Sequence, residues 1–269
     1  MECRPSIKVG RQFFDENGRR GGERAIPEET AVALIYNGGT YAVMMATPDD
    51  LQDFAVGFSL SERIVASADR IQSLDIIAHK EGIELQMWLD DADAAWLSEC
   101  RRMLAGPTGC GLCGTDSLDQ AIRPSEPVSS TARFTSDQVM AAVASVAPAQ
   151  KLNRITRAVH GAAFWHPARG LVALREDVGR HNALDKLAGV LARARCDAAA
   201  GIVVLTSRVS IEMVQKAAVM RTGVLAAVSA PTALAVRAAD EAGLTLIGVA
   251  RADGFEVFTH GERVMPSVA

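Results

Sequence analysis

Residues 201–229, GIVVLTSRVSIEMVQKAAVMRTGVLAAVS, decide the fold class. Two short unbroken apolar runs, GIVVLT (201–206) and VLAAVS (224–229), flank a segment, 209–221, with helical periodicity. Apolar strands alternating with helices indicate βαβ units and a parallel sheet covered on both faces. The pattern continues with a helical segment over 231–242 and a third apolar run, LTLIGVA (244–250). FEVFTH (255–260) is expected to return antiparallel at the sheet edge. Upstream, AAFWH and LVALRE read as a strand pair, and Thr135 with Gln138 suits a capping box for a helix ending near Pro148.

Further upstream the character changes. RPSEPVSSTARF (123–134) carries two prolines and three serines and reads as a linker. Before it, ETAVALIY, the turn Asn37-Gly38-Gly39 and TYAVMM form an expected hairpin over 29–45. A helix should follow, with Thr47 as N-cap, Pro48 at the first position, and Asp49 and Asp50 at the positive end of the dipole. Residues 71–78 and 83–89 make a second strand pair. In the latter, Ile83, Leu85, Met87 and Leu89 alternate with polar or bulky positions, so one face is buried. Residues 91–104 have helical character. The expected organisation is an α+β subdomain over 1–122, the linker 123–134, and an α/β domain with a mostly parallel sheet over 135–269.

Composition narrows the function. The chain has 269 residues, is 49% hydrophobic and has a formal net charge of −4, which argues against a general nucleic-acid binder. No apolar run approaches the roughly 20 residues that span a bilayer. MECRPSIKVGRQFF lacks the apolar stretch of a secretory signal, so a cytoplasmic location is expected and no membrane partner. Five cysteines without framework spacing read as reduced thiols. Cys3, Cys100 and Cys196 stand alone, the last two in apolar helical surroundings that suit packing rather than reactivity.

Ligands of open α/β sheets bind beyond the carboxyl ends of the strands. LVALRE is followed there by Asp177-Val178-Gly179-Arg180-His181-Asn182, and GIVVLT by Ser207-Arg208-Val209-Ser210. Next along the rim, VLAAVS is followed by Ala230-Pro231-Thr232, and LTLIGVA by Arg251, Asp253 and Gly254. Arg180 and Arg208 each precede a helix start, where free N–H groups favour an anion, and with Arg251 they can cradle phosphate. His181 is a candidate through its company. His160 opens a strand, where a hydrogen-bonded packing role competes with a ligand role.

The other concentration of chemistry is GPTGCGLCGTDSL (106–118), with Cys110 and Cys113 two residues apart among four glycines. Zinc binding, dithiol exchange and sulfur carriage all use this spacing. A structural zinc needs four ligands, and no second C-x-x-C or close His pair is present, so His160 and His181 could contribute only through the fold. A zinc deaminase places H-x-E before its cysteines, whereas here His160-Gly161-Ala162 follows them and the Glu is missing. Thioredoxin-like motifs open a helix directly after a strand, and the flanking glycines speak against that. A thiol on a glycine-rich stretch suits a group that meets two partners in turn, the behaviour of a sulfur carrier.

GPTGCGLCGTDSL, REDVGRHNALDKLAG, TSRVSIEMVQKAA and APTALAV together resemble the FdhD family, the formate dehydrogenase accessory sulfurtransferases. VALIYNGGTYAVMMATPDDLQDFAVGFSLSERI (32–64) resembles that family's N-terminal region, and the likeness runs from about residue 25 to the end. It implies a cytidine-deaminase-like α/β domain without zinc of its own, an added N-terminal α+β portion, and a homodimer. It also implies that sulfur is taken from a cysteine desulfurase as a persulfide and passed to bis-molybdopterin guanine dinucleotide. That cofactor serves the formate dehydrogenase catalytic subunit. By the same resemblance, Cys110 bears the persulfide and Cys113 is the second thiol. Val249, Ala250, Arg251, Ala252, Asp253 and Gly254 fall where the cofactor binds, on the rim that carries Arg180, His181, Ser207 and Arg208. The alternative is a chaperone that holds the cofactor without covalent sulfur transfer. One departure is visible: where the family often has T-G-G before H-x-A, this chain reads Thr156-Arg157-Ala158-Val159-His160, which makes Arg157 a candidate extra anion contact.

Overall fold

The computed structural model describes residues 4–90, 92–93, 97, 125 and 127–267. The cysteine stretch 106–118, with Cys110 and Cys113, lies outside the described residues, as do Cys3, Cys100 and most of the segment 91–104.

The N-terminal portion begins with a ribbon that the sequence reading did not anticipate, β1 (Ser6–Asp15) paired antiparallel with β2 (Gly18–Pro27). The expected hairpin follows as β3 (Thr30–Tyr36) and β4 (Gly39–Ala46), then α1 (Leu51–Ser61), β5 (Ile71–Ala78) and β6 (Ile83–Leu89). The last four strands form one sheet in the order β4-β3-β6-β5, with β3 and β6 parallel. Alternation explains its packing. Val32, Leu34, Leu85 and Met87 point to one face, where Phe54 and Phe58 of α1 close the core. Thr47 does not cap α1. The residue before the helix is Asp50, in a left-handed conformation with φ 52°. Thr47 is instead fully buried and bonded to residues about 130 positions away, because a buried carboxylate needs its amide.

The second portion has β7 (Phe134–Thr135), α2 (Ser136–Ala149), α3 (Lys151–Thr156), β8 (His160–His166), β9 (Gly170–Asp177) and α4 (Arg180–Arg193). It continues with β10 (Ile202–Leu205), α5 (Ile211–Val219), β11 (Val224–Ala227), α6 (Ala233–Glu241), β12 (Thr245–Arg251), β13 (Gly254–Val257) and β14 (Val264–Met265). The capping box on α2 is present: the Gln138 amide donates to Thr135 Oγ1 at 3.3 Å and the Thr135 amide to Gln138 Oε1 at 3.0 Å. Six strands form one sheet in the order β13-β12-β11-β10-β8-β9. Only β10, β11 and β12 are paired in parallel, while β8, β9 and β13 are antiparallel to the strands they pair with. The sheet is therefore mixed rather than mostly parallel. The hairpin β8–β9 docks on β10 with β8 reversed, and an apolar run carries no mark of its direction.

Helices cover both faces of this sheet. Leu184, Leu187, Met213, Val214, Ala235 and Ala239 of α4, α5 and α6 pack against Phe164, Val203, Leu205 and Leu225. On the other face Val139, Ala142 and Val146 of α2 meet Ala163, Val204 and Ala226. The two portions join where α1 crosses α4. A Cβ on Gly57 would lie 1.7 Å from the Asp185 carbonyl oxygen, and one on Gly189 would lie 1.9 Å from that of Asp53. Only glycine allows backbones this close.

Candidate functional site

The sheet topology sets the rim. Because β9, β10, β11 and β12 all run the same way, their carboxyl ends share one edge, as expected for a ligand-bearing edge. Arg180 and His181 follow β9, Ser207 and Arg208 follow β10, and Arg251 ends β12. Backbone bonds make the rim rigid: Val228 N–H donates to Leu205 O at 3.0 Å, Thr232 N–H to Val209 O at 2.9 Å, and Val249 N–H to Ser229 O at 3.2 Å.

The arginines are spread along this edge rather than clustered. Four strand spacings separate β9 from β12, about 19 Å at about 4.8 Å per strand. Arg180, Arg208 and Arg251 are therefore too far apart to close together on a single phosphate. Arg208 and Arg251 are exposed, and none of the three has an ion-pair partner among the described residues. Ala252 and Asp253 are exposed in the turn before β13, and Ala250 is buried. Val249 has φ 51°, where a bulge interrupts the pairing of β12 with β13 between Gly248 and Arg251. A β-branched residue in the left-handed region is strained, and such strain collects where a loop is held for a ligand.

The stretch Asp177–Asn182, which looked like one functional cluster, divides in two. Asp177 and Asn182 face inward. Asp177 accepts from the Gly179 amide at 2.7 Å, the Thr47 amide at 3.0 Å and Asn182 Nδ2 at 3.0 Å. Its other partner is Lys186 Nζ at 2.6 Å, with both side chains fully buried. Lys186 also donates to the Thr47 carbonyl at 2.9 Å, and Asn182 to that of Met45 at 2.9 Å. These residues lock α4 to the loop between β4 and α1. Ser207 is also occupied, its hydroxyl donating to the Arg208 carbonyl at 3.0 Å.

Arg180 and His181 remain. Burial pulls the His181 imidazole down to about 4, and the Arg180 and Lys216 cations push the same way. His181 is thus neutral at pH 7, and its Nε2 is buried with no hydrogen-bond partner among the described residues. Ser210 Oγ and Glu212 Oε2, at the start of α5, are likewise buried and unpartnered. Buried polar atoms are nearly always paired, so these three have bonding capacity that the described residues leave unused. His160 is half-buried and pulled below its usual value by burial and by Arg180.

Sequence reasoning missed the network beneath. Lys216 donates to Asp185 Oδ1 at 2.9 Å, Ser61 Oγ at 2.8 Å and Glu62 Oε1 at 3.0 Å, and Ser61 donates to Asp185 at 2.6 Å. Burial alone would pull the Lys216 ammonium down, but the Asp185 and Glu62 carboxylates hold it above its usual range. Asp53 pairs with Arg175 at 2.7 Å and with Arg193. Nothing local marks these residues, since their partners lie on other elements. A cleft of about 1240 Å³ lies elsewhere, lined by Leu60, Arg63, Arg195, Arg221 and Met220 at the far ends of α1, α4 and α5. It holds none of the rim residues. Arg157, the departure noted above, ends α3 at φ 57°. Cys196 is partly exposed, with its sulfur 3.3 Å from Arg169.

The chain matches the model of the FdhD/NarQ family over residues 27–265. It is 51% identical over 259 residues to a protein named sulfur carrier protein FdhD from Agrobacterium fabrum, covering 96% of each chain. A protein of the same name from Brucella abortus is 53% identical over 252 residues, covering 93% of this chain and 94% of that one. A crystal structure of a protein described as a formate dehydrogenase accessory protein from Desulfotalea psychrophila superposes with a TM-score of 0.78. At 22% identity, over 97% of this chain and 100% of that chain, it shares the fold. With matches of this length and identity spanning the four-stranded sheet, the six-stranded sheet and its rim, the chain belongs to the FdhD/NarQ family.

Proposed function

We propose that this chain is a sulfur carrier serving formate dehydrogenase. Its supporting observation is the half-identity, over nearly the whole length, to proteins named as sulfur carriers, together with the paired thiols Cys110 and Cys113. In this reading the Cys110 thiolate attacks the outer sulfur of a cysteine desulfurase persulfide. The desulfurase thiolate leaves, and Cys110 keeps the sulfane sulfur. Cys113 can then attack the inner sulfur of Cys110. The product is a Cys110–Cys113 disulfide, and the outer sulfur leaves at the level of hydrosulfide, the two electrons coming from the thiol pair.

The acceptor in this reading is bis-molybdopterin guanine dinucleotide, bound as substrate. Its length and negative charge suit a rim about 19 Å long that carries Arg180, Arg208 and Arg251. The held loop Val249–Gly254 and the unpartnered atoms of His181, Ser210 and Glu212 are the groups available to it. The reading extends to a homodimer, to a cytidine-deaminase-like layering of the second portion, and to a cytoplasmic location. The described helices fit the last point to this extent: none is long and apolar enough to cross a membrane.

Complementation tests the reading. In a strain lacking its own carrier, Cys110→Ala is expected to leave formate dehydrogenase inactive while the variant still folds and binds GDP. Full activity with Cys110→Ala would refute covalent carriage and leave a protein that only holds the cofactor.

A further inference from the structure

The ribbon β1–β2 is the part of the molecule that the fold explains least. No residue of either strand is buried, and most are exposed. A lone two-stranded ribbon is marginal in water and needs a further strand or a cover. Its base is anchored, with Arg24 donating to the Thr156 carbonyl at 3.1 Å, whereas around its tip the side-chain bonds among the described residues, Arg20 to Asp15 and the Asn17 amide to Asp15, stay within the ribbon. The ribbon also precedes the family match, which begins at residue 27.

The register sorts its side chains into two faces. One carries Phe13, Arg11 and Val9 opposite Arg20, Gly22 and Arg24. This face is internally satisfied, with the Arg11 and Arg20 guanidinium groups 5.1 and 5.6 Å from the Phe13 ring centre. The other face carries Phe14, Gln12 and Gly10 opposite Arg19, Gly21 and Glu23. Phe14 is 67% exposed. At Gly10 and Gly21 a Cβ would meet nothing within 4 Å, and these glycines border an open hollow with Gln12 and Arg19. Glu23 has only a loose contact with Lys8, at 3.8 Å.

We propose that this second face is where two copies of the chain meet, ribbon on ribbon. The pattern is self-complementary about the Gln12–Gly21 pair. A two-fold axis crossing the strands there, between the stacked ribbons, brings position 14 of one copy over position 10 of the other. It likewise brings position 19 over position 23. Phe14 then enters the hollow left by Gly10, and Arg19 meets Glu23, each contact occurring twice, as an isologous interface requires. An unrelated partner would not call for residues placed symmetrically about one pair. The inference rests on the homodimer in the proposed function and goes beyond it by naming the surface.

Sedimentation equilibrium of the full chain tests it. The wild-type protein is expected to dimerise. Arg19→Glu and Glu23→Arg should each weaken the dimer about tenfold or more, since like charges then face each other twice. The double variant R19E/E23R should recover the wild-type dissociation constant, which a ribbon that had merely unfolded would not do. Phe14→Ser should weaken the dimer without rescue by either charge change. A wild-type monomer at all concentrations would overturn the homodimer together with this surface. A dimer as tight in both single variants as in the wild type would overturn the surface and leave the homodimer standing. Weakening without recovery in the double variant would overturn the two-fold pairing.

Discussion

The seam between α1 and α4 and the rim above β9–β12 use the same kinds of residue to opposite ends. At the seam every charge is answered: Asp177 has Lys186 and three N–H donors, Asp53 has Arg175 and Arg193, and Asp185 has Lys216 and Ser61. On the rim the balance is open. Among the described residues, the buried atoms of His181, Ser210 and Glu212 have no partners and the arginines have no ion-pair partner, and Val249 is strained. The seam holds the two portions in register, and the rim is left with unused bonding capacity, which the proposed function assigns to a ligand. Stability should therefore respond to the seam and binding to the rim.

Lys186→Met should give the largest effect. It strands the buried Asp177 carboxylate, and breaking such a pair costs about 3–5 kcal/mol. Thermal or urea unfolding should show this loss. A loss below about 1 kcal/mol would mean that the seam is not the stabilising element. Arg251→Ala should behave in the reverse way. Its stability should match the wild type, while GDP binding measured by calorimetry weakens by about 1.5–3 kcal/mol, the worth of a charge-assisted hydrogen bond. Equal GDP affinity for both proteins would remove Arg251 from the rim site.

These contrasts also show what the sequence disclosed. The parallel trio β10–β12, the hairpin β3–β4 and the pair β5–β6 announce themselves through unbroken or alternating apolar runs, and the rim follows from where those runs end. The ribbon β1–β2 does not announce itself. Its second strand, GRRGGERAIP, is mostly exposed on both faces and so has no period of two, and its Gly21-Gly22 competes with Asn17-Gly18 as a turn signal. Thr47 reads as a helix cap because capping is local, whereas its actual partners, Asp177 and Val178, lie on the other portion. Asp177 and Asn182 read as chemistry for the same reason. They are polar residues at a strand end, and their engagement with Lys186 and the β4–α1 loop is purely tertiary. The direction of β8 is equally hidden, so the sequence does not disclose that the sheet is mixed.

The pH dependence sharpens the contrast further. The His181 value in the folded chain, about 4, lies below the ordinary 6.5, so between these values the unfolded chain binds the extra proton. Stability should be complete above pH 6.5 and fall as pH drops toward 4, by about 1–2 kcal/mol for this partly exposed ring. His181→Gln should flatten that part of the profile. An unchanged slope in the variant would place the titration elsewhere. Ser210→Ala should have the smallest effect. Removing a hydroxyl that bonds nothing in the fold should leave stability unchanged or raise it by up to about 1 kcal/mol. A loss of more than that would show that Ser210 belongs with the seam residues.

The most direct test of sulfur carriage is the mass of the intact protein after incubation with a cysteine desulfurase and cysteine. The account predicts a gain of about 32 Da, one sulfur, removed by dithiothreitol and absent in Cys110→Ala. No gain in the wild type, or the same gain in Cys110→Ala, would contradict it.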